Sequence, residues 1–235
     1  MADLLKKNYE NRRTFSLRCH EITGNLLQNS MPQIHLITSP SSGSGKTTTA
    51  LNLALCFAAL GRKTLIWDTT KASWLKMMLN IQNEKELVKI SAFLSYCSTE
   101  RASWEDFDNV LIDCAGNFFV EVAEKIDTPF SLLIPLEAEY YGMNELPDFL
   151  KEVNTRGFDI DGFVPLMFRE GSVSSEGLVT HLKQMFGDMV FEPSIQRNYY
   201  IARQRDFSLF SSKELTEKAA VTYLNLANNL LEKKQ

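Results

Sequence analysis

The run Ser41-Ser42-Gly43-Ser44-Gly45-Lys46-Thr47-Thr48 concentrates two glycines, one ammonium group and several hydroxyls in a short stretch of chain. These are the groups that hold polyphosphate. Small residues let successive backbone N–H groups come close to phosphate oxygens, and a helix starting at the same place points its positive N-terminus at the anion. In this reading Lys46 reaches the β- and γ-phosphates and the Thr47 hydroxyl ligates Mg²⁺. The backbone of Ser42, Gly43, Ser44, Gly45, Lys46, Thr47 and Thr48 forms the anion nest. The strict G-x-x-x-x-G-K-[ST] pattern is broken at its first glycine, where Pro40 stands. The setting separates the stretch from an ordinary Gly/Ser turn, because an apolar run at 34–38 precedes it and a helical pattern at 48–60 follows.

Chemistry on a magnesium nucleotide also needs carboxylates at strand ends beside the cradle. Asp68 closes the apolar run Thr64-Leu65-Ile66-Trp67, and Asp113 closes Val110-Leu111-Ile112. Cys114-Ala115-Gly116 follows as a small-residue turn able to approach a γ-phosphate. In an open parallel sheet the ligand lies at the carboxyl ends of the strands, so Thr47, Asp68 and Asp113 are expected to converge as metal ligands there. Lys46, Asp68 and Asp113 are the expected catalytic set. A second, basic cluster lies late in the chain, where Arg197, Arg203, Arg205, Lys213 and Lys218 are interleaved with Tyr199 and Tyr200.

These residues must be carried by an α/β frame. Apolar runs at 34–38, 64–67, 110–112, 130–135 and 162–167, with a shorter one near 189–191, alternate with helical patterns at 48–60, 73–79, 119–125, 145–155, 176–186 and 214–232. The alternation predicts a mainly parallel twisted sheet with helices on both faces. A chain of 235 residues with 44% hydrophobic content supports one such domain. We expect it to span 33–235, after a partly helical N-terminal extension at 1–32. The net charge of −4 carries no whole-protein signal for nucleic acid, so any basic surface is local. Cys19, Cys56, Cys97 and Cys114 are scattered without metal-ligand spacing, as expected of a reducing compartment. With no apolar span of membrane length and no charged-then-apolar leader, a cytoplasmic location without a membrane partner is expected.

In order and spacing these motifs resemble the ParA/MinD superfamily of P-loop ATPases with a deviant phosphate loop, from Ile34 to about Leu230. The family pattern K-G-G-x-G-K-T-T falls on the residues from Ser41 to Thr48, its D-x-D on Asp68-Thr69-Thr70, and its D-T-P-P on Asp113-Cys114-Ala115-Gly116. Leu133-Ile134-Pro135-Leu136-Glu137 and the segment from Glu192 to Ala202 match later family stretches. The ParA-like branch is the most similar. The resemblance implies ATP and Mg²⁺ as cofactors, an ATP-dependent homodimer, weak ATP hydrolysis and a ParB-like or adaptor partner. It also implies sequence-independent DNA binding through Arg197, Arg203 and Lys218, in a protein that positions or segregates DNA or protein cargo in a bacterial cytosol or on its nucleoid.

Two departures bear on mechanism. The family's signature lysine falls on Ser41, so the charge that crosses to the partner's phosphates is absent at that position, and Lys71 or Lys151 is left to replace it. The second Asp of D-x-D falls on Thr70, which can hydrogen-bond but cannot act as a base at neutral pH. Two rivals follow: an ATP-dependent dimer switch that does not hydrolyse, and an ATPase of the bacterial tyrosine-kinase type. The second lacks that family's D-x-D-x-R and its terminal tyrosine cluster, since this chain has Asp68-Thr69-Thr70-Lys71-Ala72 and ends in Lys233-Lys234-Gln235.

Overall fold

A computed structural model describes residues 31–72, 74–82, 86–99, 104–139, 143–197 and 218–233. Seven strands form one sheet: β1 (Gln33–Ile37), β2 (Thr64–Asp68), β3 (Val88–Lys89), β4 (Leu94–Cys97), β5 (Asn109–Asp113), β6 (Phe130–Glu137) and β7 (Asp159–Leu166). Their order is β3-β4-β2-β5-β1-β6-β7, with every pairing parallel except β3 on β4. The near-continuous apolar runs of β1, β2, β5 and β6 fit strands covered on both faces.

The helices are α1 (Lys46–Ala59), α2 (Trp74–Met78), α3 (Phe119–Ala123), α4 (Leu146–Arg156), α5 (Val173–Phe186) and α6 (Lys218–Glu232). Two cores result. On one face α1, α2 and α6 pack on Ile37, Ile66, Leu111 and Leu133. On the other, α3, α4 and α5 pack on Leu36, Val110, Ile112 and Ile134. The expected parallel sheet with helices on both faces is therefore present. Helix α1 is sandwiched so deeply that every residue from Thr49 to Phe57 is buried, and α6 covers its outer side, bringing the Tyr223 hydroxyl to 3.4 Å from Thr49 Oγ1.

Two details differ from the sequence expectation. β3 and β4 were not expected: one is only two residues long, and Leu94-Ser95-Tyr96-Cys97 is too short and too polar to stand out as an apolar run. Conversely, the run near 189–191 makes no strand. A 3₁₀ turn occupies Gly187–Met189, and a single bridge, Phe163 to Val190, joins the segment to β7. The expected start of the last helix, at 214, and the N-terminal extension up to residue 30 lie outside the described residues.

Candidate nucleotide site

β1 lies between β5 and β6 near the middle of the sheet, so the loop that leaves it emerges at the carboxyl edge where an α/β sheet binds ligands. The loop turns into α1 through two glycines with positive φ, Gly43 at 73° and Gly45 at 85°. Gly45 admits no other residue cheaply, because a Cβ there would also come within 2.6 Å of Leu166 Cδ1. As the N-cap of α1 it offers no side-chain acceptor, and the first turn carries no acidic residue. The amides of that turn are left for an anion. Lys46 Nζ folds back over the loop and donates to Ser41 O at 2.7 Å and to Ser44 Oγ at 3.3 Å. Burial lowers its pKa, while Asp113 pulls in the opposite direction.

Asp68 and Asp113 are register neighbours at the ends of β2 and β5, and both are buried. Their environments differ sharply. Neither oxygen of Asp113 has a well-formed hydrogen bond among the described residues, and the Thr47 hydroxyl acts on the carboxylate only as a weak donor. Burial raises the Asp113 pKa to about 7, and the neighbouring Asp68 charge pushes the same way, against the opposing pull of Thr47 and Lys46. Asp68, by contrast, is fully engaged. Its Oδ1 accepts from the Thr70 N–H at 2.9 Å and the Thr70 hydroxyl at 2.6 Å, and its Oδ2 accepts from the Tyr96 hydroxyl at 3.2 Å. Thus Lys46, Thr47, Asp68 and Asp113 meet at one place, and of the two carboxylates only Asp113 is without a well-formed hydrogen bond.

A buried carboxylate without a well-formed hydrogen bond, beside a threonine hydroxyl and an uncapped helix start, is a set of oxygen donors that would suit a hard divalent cation. Among the described residues no group of three or more His, Cys, Asp or Glu could hold a metal ion.

The turn after β5 closes on this loop. A Cβ at Gly116 would fall on the carbonyl oxygen of Ser39, with Pro40 O at 3.3 Å. Gly116→Ala must therefore lift the turn off the phosphate loop. We expect it to slow phosphate release roughly a hundredfold, the scale of a 1 Å misplacement, with ATP binding retained. Stopped-flow phosphate release and calorimetry together check this. On the α3 side of the same turns lies a cavity of about 520 Å³, lined among others by Trp67, Thr70, Lys71, Ala115, Phe118 and Glu121. Lys71 sits over the Phe118 ring at 5.3 Å from its centroid. Lys151 is an exposed residue of α4.

Of the expected DNA-contacting residues, Arg197 is exposed, with its N–H bonded to Phe168 O at 3.0 Å. Arg203 and the Lys218 side chain lie outside the described residues. Tyr96 is the residue at the site that sequence reasoning missed. Its only signal was a tyrosine in a short run whose strand character shows in three dimensions, through pairing with β2.

A family model described as "CobQ/CobB/MinD/ParA nucleotide binding domain" matches residues 35–207. The chromosome partitioning protein ParA of Myxococcus xanthus is 22% identical, over 86% of this chain and 88% of its own. Among solved structures, a variant of Cyanothece McdA in complex with ATP aligns with a TM-score of 0.69 at 19% identity, covering 88% of this chain and 98% of the other. Cobyrinic acid a,c-diamide synthase from Mycobacterium smegmatis, with bound ATP analogue and magnesium, aligns with a TM-score of 0.61 at 16% identity over 86% and 95% of the two chains.

Proposed function

The chain belongs to the CobQ/CobB/MinD/ParA nucleotide-binding family, and from that premise we propose that it is a ParA-like ATPase that binds Mg-ATP, dimerises with it, and couples its turnover to the positioning of cargo on DNA. The observation that carries the reading is Asp113. A carboxylate with both oxygens buried and without a well-formed hydrogen bond costs stability unless something binds there, and it lies beside the uncapped start of α1, Lys46 and Thr47. Two solved relatives in fold hold ATP or an ATP analogue, one of them with magnesium.

In the proposed site Thr47 and Asp113 hold Mg²⁺, directly or through water. Magnesium there supplies neutralisation of charge on the terminal phosphate oxygens. Lys46 leaves the Ser41 carbonyl for the phosphates, and the amides from Gly43 to Thr48 fix the polyphosphate along the axis of α1. Gly116 brings the turn after β5 close enough to cover the γ-phosphate end. The Thr70 hydroxyl, tied to Asp68, stands where the family places a carboxylate, and Ser41 stands where it places a lysine. Both substitutions favour slow turnover and give the non-hydrolysing switch a specific basis. Phosphate release measured with and without DNA separates the two readings: turnover abolished by Lys46→Ala removes the switch.

DNA and the adaptor belong to this proposal by likeness to the partition proteins. Arg197 provides an exposed cation on the loop after α5, and no described helix is long and apolar enough to cross a membrane. Exchanging Arg197 and Lys218 together for Glu is expected to weaken ATP-dependent DNA binding equally on unrelated sequences. The salt slope should fall by about one unit per lost phosphate contact. Electrophoretic shifts at two salt concentrations check this, and an unchanged shift, or no DNA binding by the wild type with ATP, replaces DNA by a protein adaptor as the bound surface.

A further inference from the structure

Tyr96 is buried in β4, on the edge side of β2, and has no place in the phosphate cradle itself. Its register partner on β2 is Ile66. Ile66 and Asp68 share one sheet face because side chains alternate along a strand, and Tyr96 joins Ile66 in the core beneath α1. Asp68 therefore lies about 7 Å further along β2 at the usual strand rise, a distance that a tyrosine side chain spans. The hydroxyl arrives at Asp68 Oδ2 at 3.2 Å. A phenylalanine would fill the same core without bringing a polar group inside, so the hydroxyl is tolerated because it is bonded. Burial and the Asp68 charge raise its pKa, which keeps it a donor.

The other Asp68 oxygen is held by the Thr70 N–H and hydroxyl. Between them Thr69 is anchored on the opposite side, its N–H and its hydroxyl both donating to Asp113 O at 3.1 and 2.8 Å. The turn at 68–70 is thus clamped from two neighbouring strands, from β5 by backbone and from β4 by Tyr96 through a single carboxylate. We propose that Tyr96 is a positioning residue: by holding Asp68 it fixes Thr70 at the phosphate end of the site, where the chain has no second carboxylate to order the attacking water. This rests on the ATPase reading for its consequence in turnover, while the clamp itself stands on the geometry alone.

Tyr96→Phe in the full chain removes one hydroxyl and keeps the ring. The expected result is a fall of about tenfold in kcat for phosphate release, with the Kd for a fluorescent ATP analogue changed less than about twofold, in line with losing one hydrogen bond to a charged group. Because Tyr96 acts through Asp68, adding Tyr96→Phe to Asp68→Asn should cost nothing more. Hydrogen exchange at the Thr70 amide, measured without nucleotide, should quicken about tenfold in Tyr96→Phe, since that amide bonds Asp68. Unchanged exchange overturns the clamp, whether or not the protein turns over ATP. Wild-type turnover in Tyr96→Phe, additive losses with Asp68→Asn, or a loss confined to nucleotide affinity overturns its role in the reaction. Should the wild type release no phosphate, the ATPase reading fails by itself, and the exchange result alone upholds or overturns the clamp.

Discussion

Lys46→Ala is expected to weaken ATP binding by on the order of 1.5–3 kcal/mol, the usual value of hydrogen bonds to a charged group, or roughly a tenfold to hundredfold rise in Kd. In the free protein the ammonium already donates to Ser41 O and Ser44 Oγ, so ATP binding exchanges neutral acceptors for charged phosphate oxygens. The net gain is that difference, which keeps the expected loss moderate. A second effect adds to it. Lys46 is one of the influences holding down the Asp113 pKa, and without it the carboxylate keeps its proton to higher pH and holds magnesium less well. Calorimetry at fixed free Mg²⁺ checks the prediction, and equal affinity in wild type and variant removes Lys46 from the site. The loss should grow as pH falls from 8 to 6, because the second effect enters only where Asp113 is protonated.

The parts of this site that depend on local chemistry were legible in the sequence. Gly43, Gly45, Lys46 and Thr47 needed only the order strand, small-residue turn, helix. Asp68 and Asp113 needed only their position at the ends of apolar runs, and the register Asp68 to Asp113 brings them together as that rule requires. What stayed hidden depends on contacts between distant segments. The reach of Tyr96 to Asp68 requires knowing that β4 exists and which β2 residue it pairs with. The core cluster of His35 Nδ1, Asp161 Oδ2 and the Ser131 hydroxyl, each bond 2.5 Å, joins β1, β6 and β7 across as many as 126 positions of sequence. Its polar residues sit inside runs that otherwise read as plain strands. The close fit of Gly116 on Ser39 belongs to the same class: the glycine was visible, but the carbonyl it accommodates was not. Nor could spacing alone distinguish the two carboxylates. One is occupied by donors from its own turn and a neighbouring strand, the other has no well-formed hydrogen bond and only the pull of the Thr47 hydroxyl, and that difference is why we propose Asp113 rather than Asp68 as the metal ligand.

Asp113 gives the prediction with the widest reach, because its ionisation couples stability to ligand. Its pKa rises from an ordinary 3.8 in the unfolded chain to about 7 in the fold, chiefly through burial. Between those values the folded protein holds a proton that the unfolded chain has released. Stability from this group is therefore fully present below pH 3.8 and is lost as pH climbs through 7. The loss is on the order of 4 kcal/mol when converted at the usual energy per pKa unit. The nucleotide-free protein should thus unfold at lower urea at pH 8 than at pH 6, the reverse of what a salt-bridged carboxylate would give. Asp113→Asn carries no such charge, so it should be the more stable protein at pH 8, by a smaller margin at pH 5, and should approach wild type only as pH falls toward 3.8. Its phosphate release should fall about a hundredfold, as for loss of a contact to developing charge. Saturating Mg-ATP should flatten the wild-type pH dependence, because a cation at the carboxylate replaces the proton as its partner, and should leave the Asn variant unchanged in this respect. Urea titrations of both proteins from pH 5 to 8, with and without Mg-ATP, together with phosphate release, test all four arms. Because burial also raises the Asp68 pKa, the two proteins are compared with each other: a wild type and an Asn variant that lose the same stability between pH 5 and 8 mean that Asp113 is satisfied within the protein and that the metal is held elsewhere.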